Sequence, residues 1–217
     1  MTMPRSLQAM IDAGVGDTLV LPEGRFGGPA VVRRPLRIVG AGSDRTVIVG
    51  DGPLLSSAGT AASLQALSMA GASLPTGRGA AIHVVSGRVE IVDCVIEGHR
   101  AVMGGAVYVA ASGTLSMRRV RLIGNRASKG GGAIAIIGGG RAKLSQVSFE
   151  DNRAEDAGHH LYAMRVGSRV PQIQLTSVTF SACLGRSTGI ANVRGFEGRF
   201  TLIDTEWPAD SLKVPQR

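Results

Sequence analysis

The chain has 217 residues, a formal net charge of +8 and two cysteines. That length suits one domain with a sizeable core, and two cysteines exclude a disulfide-stapled miniature fold. The basic balance favours anionic partners, while 4% aromatic residues and 31 glycines point to an aliphatic core with many tight corners.

Residues 1–16 are read as an N-terminal cap. Ser6 to Ala13 has the spacing of a short amphipathic helix, with Leu7, Met10 and Ile11 on one face and Gly14 where the helix stops. This opening has no apolar run of signal or membrane-spanning length, so the expectation is a cytoplasmic chain without a membrane span. A domain of a larger secreted protein would give the same pattern. Strands are then predicted at Thr18 to Leu21, Val31-Val32, Leu36 to Val39 and Thr46 to Val49. Residues 50–60 are less regular. Residues 63–71 form a degenerate repeat, and Ala72 to Gly79, with Pro75 and Gly77, reads as a polar loop.

From Ala81 the chain repeats itself. Units begin at Ala81, Ala106, Ala133 and His160, so the first three are 25, 27 and 27 residues long. Aligning them stacks Ile82 with Val107, Ile134 and Leu161, then Ile91 with Met117, Leu144 and Leu175, then Ile96 with Leu122, Phe149 and Phe180. Within a unit the apolar positions are two apart, the period of a strand. Three short strands per unit of such a length describe a coil that buries its apolar face only against its neighbours. The fold class is therefore all-β: a right-handed parallel β-helix of about seven coils over residues 17–207, with a short N-terminal capping helix. Residues 208–217 read as a C-terminal cap or tail. Handedness follows the bias of parallel crossovers.

Gly104-Gly105-Ala106-Val107 and Gly131-Gly132-Ala133-Ile134 share one motif, and Phe149 with Asn152 and Leu122 with Asn125 share a second. On these residues the chain resembles the pectin-lyase-like superfamily of parallel β-helices. Its repeats are similar to the GGA[IV] and FxxN repeats of polymorphic outer-membrane proteins. The opening helix, Gly-Asp-Thr strand and Pro/Gly turn also resemble a first coil of the pectin-lyase-like group. The resemblance implies the architecture; the fold hosts lyases, hydrolases, adhesins and inert scaffolds alike.

The candidate chemistry is sparse. Asn125 and Asn152 align at one corner with His99 and Cys183, a pattern suited to an amide ladder along the axis. Three coils of ~4.8 Å separate Cys94 from Cys183, beyond disulfide reach. Arg100, Arg126 and Arg153 fill the next column; Glu97, Glu150 and Asp151 are expected to neutralise them, and the alternative is a ridge that binds an anionic polymer. The run Glu150, Asp151, Glu155, Asp156, His159, His160 reads as a solvated loop, because carboxylates do not converge from neighbouring coils as a pectate-lyase-like site or a glycosidase pair requires. No catalytic residue, metal ligand or cofactor is assigned.

The outward columns beside Ile82 carry His83, Tyr108 and Tyr162, then Val85, Ile137 and Met164. A free solenoid should place polar residues there, and an apolar patch of Tyr, Met and Ile suits a contact surface. Cover by the 72–79 loop or the carboxyl tail is the competing explanation. Two functions follow. The first is a non-enzymatic scaffold binding a protein partner, another copy or a neighbouring domain through this face. The second is a polysaccharide-active enzyme, or a polyanion- or carbohydrate-binding protein; few exposed rings for stacking sugars weigh against it.

Overall fold

A computed structural model describes residues 4–181 and 199–205. They wind into a parallel β-solenoid of about six turns. The strand Arg199–Ile203 is described, whereas Cys183, Trp207 and the expected C-terminal cap lie outside the described residues.

Every inter-strand pairing of the named strands is parallel, and the register matches the sequence columns. Ile82 lies beside Val107 and Val107 beside Ile134; Ile91 lies beside Met117, Leu144 and Leu175 in turn; Ile96 lies beside Leu122, Phe149 and Phe180. The long strands Ile82–Glu97, Val107–Ile123 and Arg141–Glu150 bend through corners and so contribute to more than one face. Alternate side chains point inward. Ile91, Cys94, Ile96, Met117, Val120, Leu122, Leu144, Val147, Phe149, Leu175 and Val178 are buried as expected. Phe180 is half-buried and stacks on Phe149 with ring centroids 5.0 Å apart.

The corners explain the motifs. Ala66, Asp93, Arg119, Gln146, Ser177 and Asp204 sit one per coil at the same bend, each with φ between 46° and 55°. One left-handed residue turns the strand there. At the next corner Gly71, Gly98, Gly124 and Asp151 repeat the left-handed conformation. In the repeated Gly-Gly-Ala, Gly104 has φ +59°, and a Cβ on Gly105 would lie 2.2 Å from the Gly132 carbonyl oxygen of the coil above. The first glycine is required by conformation and the second by close approach.

The helix spans Leu7–Ala13, with Ser6 as N-cap accepting from the Ala9 amide. Leu7 and Ile11 are buried against the first coil and Met10 partly so. Gln8 accepts the Val31 amide at 2.7 Å, and Arg34 donates to the Ile11, Gly14 and Gly16 carbonyls. The helix thus closes the apolar end of the solenoid and satisfies one edge amide, as an open β-edge needs. Gly14 caps the helix at φ −77°, without the left-handed turn of a glycine cap.

One expected loop is a strand. Ser73–Arg78 pairs with Arg100–Met103, placing Ser73 beside Arg100 and Leu74 beside Ala101, with a bulge before Arg78. Proline and glycine suit an edge strand with a bulge, and the segment forms the outermost member of a short four-stranded sheet with Arg126–Gly130 and Arg153–Ala154. No helix among the described residues is long and apolar enough to cross a membrane.

Candidate functional site

The corner that separates the main coil from the short sheet is polar and fully buried. The Asn125 side-chain oxygen accepts the His99 amide at 3.1 Å, and its NH2 donates to the Ile96 carbonyl and the Asn152 oxygen at 3.1 and 2.9 Å. Asn152 repeats the pattern one coil on, accepting the Asn125 amide and donating to Leu122. His99 imitates an asparagine: Nδ1 accepts the Ala72 amide at 3.1 Å, so Nε2 carries the proton and donates to the Met69 carbonyl at 3.0 Å. His160 receives the Asn152 amide on Nδ1 and donates from Nε2 to the Ser181 carbonyl. Burial pushes both imidazoles down to about 4. Their ring nitrogens are committed to the ladder, so this histidine set is structural. Glu155 and Asp156 are exposed, and the described residues contain no group of three His, Cys, Asp or Glu placed to hold a metal ion.

Each ladder residue is followed by an arginine. Arg100, Arg126 and Arg153 lie in direct register on adjacent strands and are exposed. The expected neutralisation does not occur. Glu150 pairs bidentately with Arg121, Nη2 to Oε2 at 2.9 Å, which holds its carboxyl below the usual range. Arg119 pairs with Asp93 around the single-residue corner. Among the described residues no carboxylate forms an ion pair with Arg100, Arg126 or Arg153. The reason is geometric: Glu150 lies on the strand before the asparagine corner, and the arginines follow that corner on the short sheet. Two such charges held at strand spacing in water repel by about 1 kcal/mol, a cost that an anion between them removes.

These arginines line an open groove of about 650 Å³. Its other lining groups are Ser73, Pro75, Ser128 and Glu155, with buried Ala101 and Ala127 beneath. Sequence reasoning found the arginines but missed Ser73, because the 72–79 segment was read as a loop, and it placed Glu155 on a solvated loop without bringing it beside the arginines. The repeated Arg-Ala pair, extended one coil back to Ser73-Leu74, was the available signal.

The outward apolar columns are only partly a surface. Tyr108 and Ile137 are buried. His83 meets the edge of the Tyr108 ring at 5.2 Å, and the Arg78 guanidinium covers that ring at 5.3 Å from its centroid. Met103 packs on the same cluster, and Gly130 lies so close to the Tyr162 ring that a Cβ there would touch it at 2.8 Å. His83, Tyr162 and Met164 are half-buried and Val85 is 43% exposed. The short sheet and its connections thus provide part of the cover. A second groove, of about 450 Å³, carries Arg88, Arg141, Lys143, Gln172 and Gln174 on the face outside Leu115 and Ala142.

No family model matches the chain, and comparison with curated proteins and with solved structures finds no significant match.

Proposed function

We propose that this protein is a non-enzymatic β-solenoid binding module whose ligand is anionic and lies along the Arg100, Arg126 and Arg153 groove. One observation carries the reading: three exposed arginines stacked in register without carboxylate partners among the described residues. Solenoids grow by repeating a coil, and a residue repeated on every coil becomes a linear array. Guanidinium arrays suit carboxylate or phosphate groups because the planar fork binds them bidentately. The GGA and Asn-corner motifs support kinship with the pectin-lyase-like β-helices and with polymorphic outer-membrane protein repeats, and a right-handed coil goes with that kinship.

The test is binding to poly-glutamate, a sulfated glycan and polyphosphate across a salt series, wild type against Arg100→Gln/Arg126→Gln/Arg153→Gln. Binding that weakens linearly in log salt and falls at least tenfold in the triple variant supports the reading. Equal binding by a triple variant with an unchanged melting curve refutes it. A second reading, protein contact through Val85, His83, Tyr162 and Met164, is favoured by the exposure of Val85 beside half-buried Tyr162 and Met164. Its occupant would be a partner, another copy or a neighbouring domain.

A further inference from the structure

The occupant of the arginine groove is narrowed by three of its features. The first is spacing. Adjacent strands lie ~4.8 Å apart, so the arginines stand at roughly 0, 4.8 and 9.6 Å along the axis. Residues i, i+3 and i+7 of an α-helix stand at roughly 0, 4.5 and 10.5 Å on one face. Alternate residues of an extended strand stand ~6.6 Å apart and drift off the array by the third position. Flexible arginine stems absorb the ~1 Å helix mismatch far more easily than the strand mismatch of ~3.6 Å.

The second feature is the floor. Ala101 and Ala127 are buried beneath the arginines at 6% and 4% exposure. Their side chains face the solenoid core, so no bulky group stands between the arginines, and the groove is walled by the aliphatic arginine stems, against which the apolar flank of a helix can pack. The third is Glu155, a carboxylate inside the groove one residue beyond Ala154. It repels a continuous polyanion but complements the positive N-terminal end of a helix.

We propose that the groove receives an acidic amphipathic α-helix of a protein partner, laid along the solenoid axis with carboxylates at i, i+3 and i+7 and its N-terminus at Glu155. This rests on the reading of the groove as an anion site. The helix runs from the Arg153 coil towards the Arg100 coil and Ser73, pairing one carboxylate with each arginine.

The test uses the whole protein and three fluorescent probes. One is an alanine-rich helical peptide with Glu at i, i+3 and i+7; one has the same composition with the Glu residues scattered around the helix; the third is inorganic polyphosphate. The patterned peptide should bind about tenfold more tightly than the scattered one, the gain expected of three aligned charge-assisted pairs. Glu155→Gln should weaken the patterned peptide about twofold and tighten polyphosphate. If both peptides and polyphosphate bind alike and Glu155→Gln tightens all three, the helix proposal falls while the anion groove stands. If none of the probes binds, or all bind the triple arginine variant as well as wild type, both fall. The comparison of patterned with scattered peptide needs no variant, so a folding defect cannot obscure it.

Discussion

Removing one rung of the buried ladder should be expensive and local. Asn125 is fully buried. Changing it to Ala leaves the His99 amide without its acceptor and the Ile96 carbonyl without its side-chain donor. The Asn152 oxygen keeps the Asn125 backbone amide at 3.0 Å, so it is not orphaned. The abandoned His99 amide costs about 1–3 kcal/mol, and the lost side-chain bond to the Ile96 carbonyl, which stays in the strand ladder beside Leu122, adds about 1 kcal/mol, so a loss of about 2–4 kcal/mol is expected in urea unfolding followed by circular dichroism. Hydrogen exchange supplies the local readout: the His99 amide should lose protection while the Ala72 amide, held by His99 Nδ1, keeps it. Asn125→His should recover much of the loss, since His99 makes the equivalent pair of bonds with its own ring. A variant within about 0.5 kcal/mol of wild type and still protected at His99 refutes the view that the ladder holds the coils together.

Three further outcomes follow from other parts of the fold. His99 and His160 titrate at about 4 in the folded chain against an ordinary 6.5, so the unfolded chain takes up their protons first as pH falls. Stability should be full above pH 6.5 and decline towards pH 4, by up to about 3 kcal/mol per histidine; a melting temperature flat from pH 7 to 4 is the contrary result. Gly105→Ala should block coil stacking, because its Cβ would lie 2.2 Å from the Gly132 oxygen, whereas Gly124→Ala meets nothing within 4 Å and pays only for φ +60°, about 1–2 kcal/mol; equal melting shifts would contradict this. Ile137→Glu should destabilise by several kcal/mol because Ile137 is buried, while exposed Val85→Glu should leave the melt unchanged; tolerance of both would mean the cluster around Tyr108 opens freely.

The coil was legible in the sequence because strand alternation and the unit repeat are local properties. A residue's inward or outward sense follows from its parity, and stacking identical units aligns like with like, so Ile91, Met117 and Leu144 could be placed without coordinates. The asparagine ladder was legible for the same reason. What parity cannot supply is the direction a side chain takes past a corner or what lies over an outward face. Glu150 looked close to the arginines in sequence, yet its carboxylate binds Arg121 on its own face and leaves the arginine groove without an ion-pair partner among the described residues. Ser73–Arg78 looked like a loop because its proline and glycine are turn residues, but pairing with Arg100–Met103 makes it a strand, and that strand brings Arg78 over Tyr108. Both outcomes depend on contacts between coils at the corners, where direction changes with every residue and only the tertiary structure decides which groups meet.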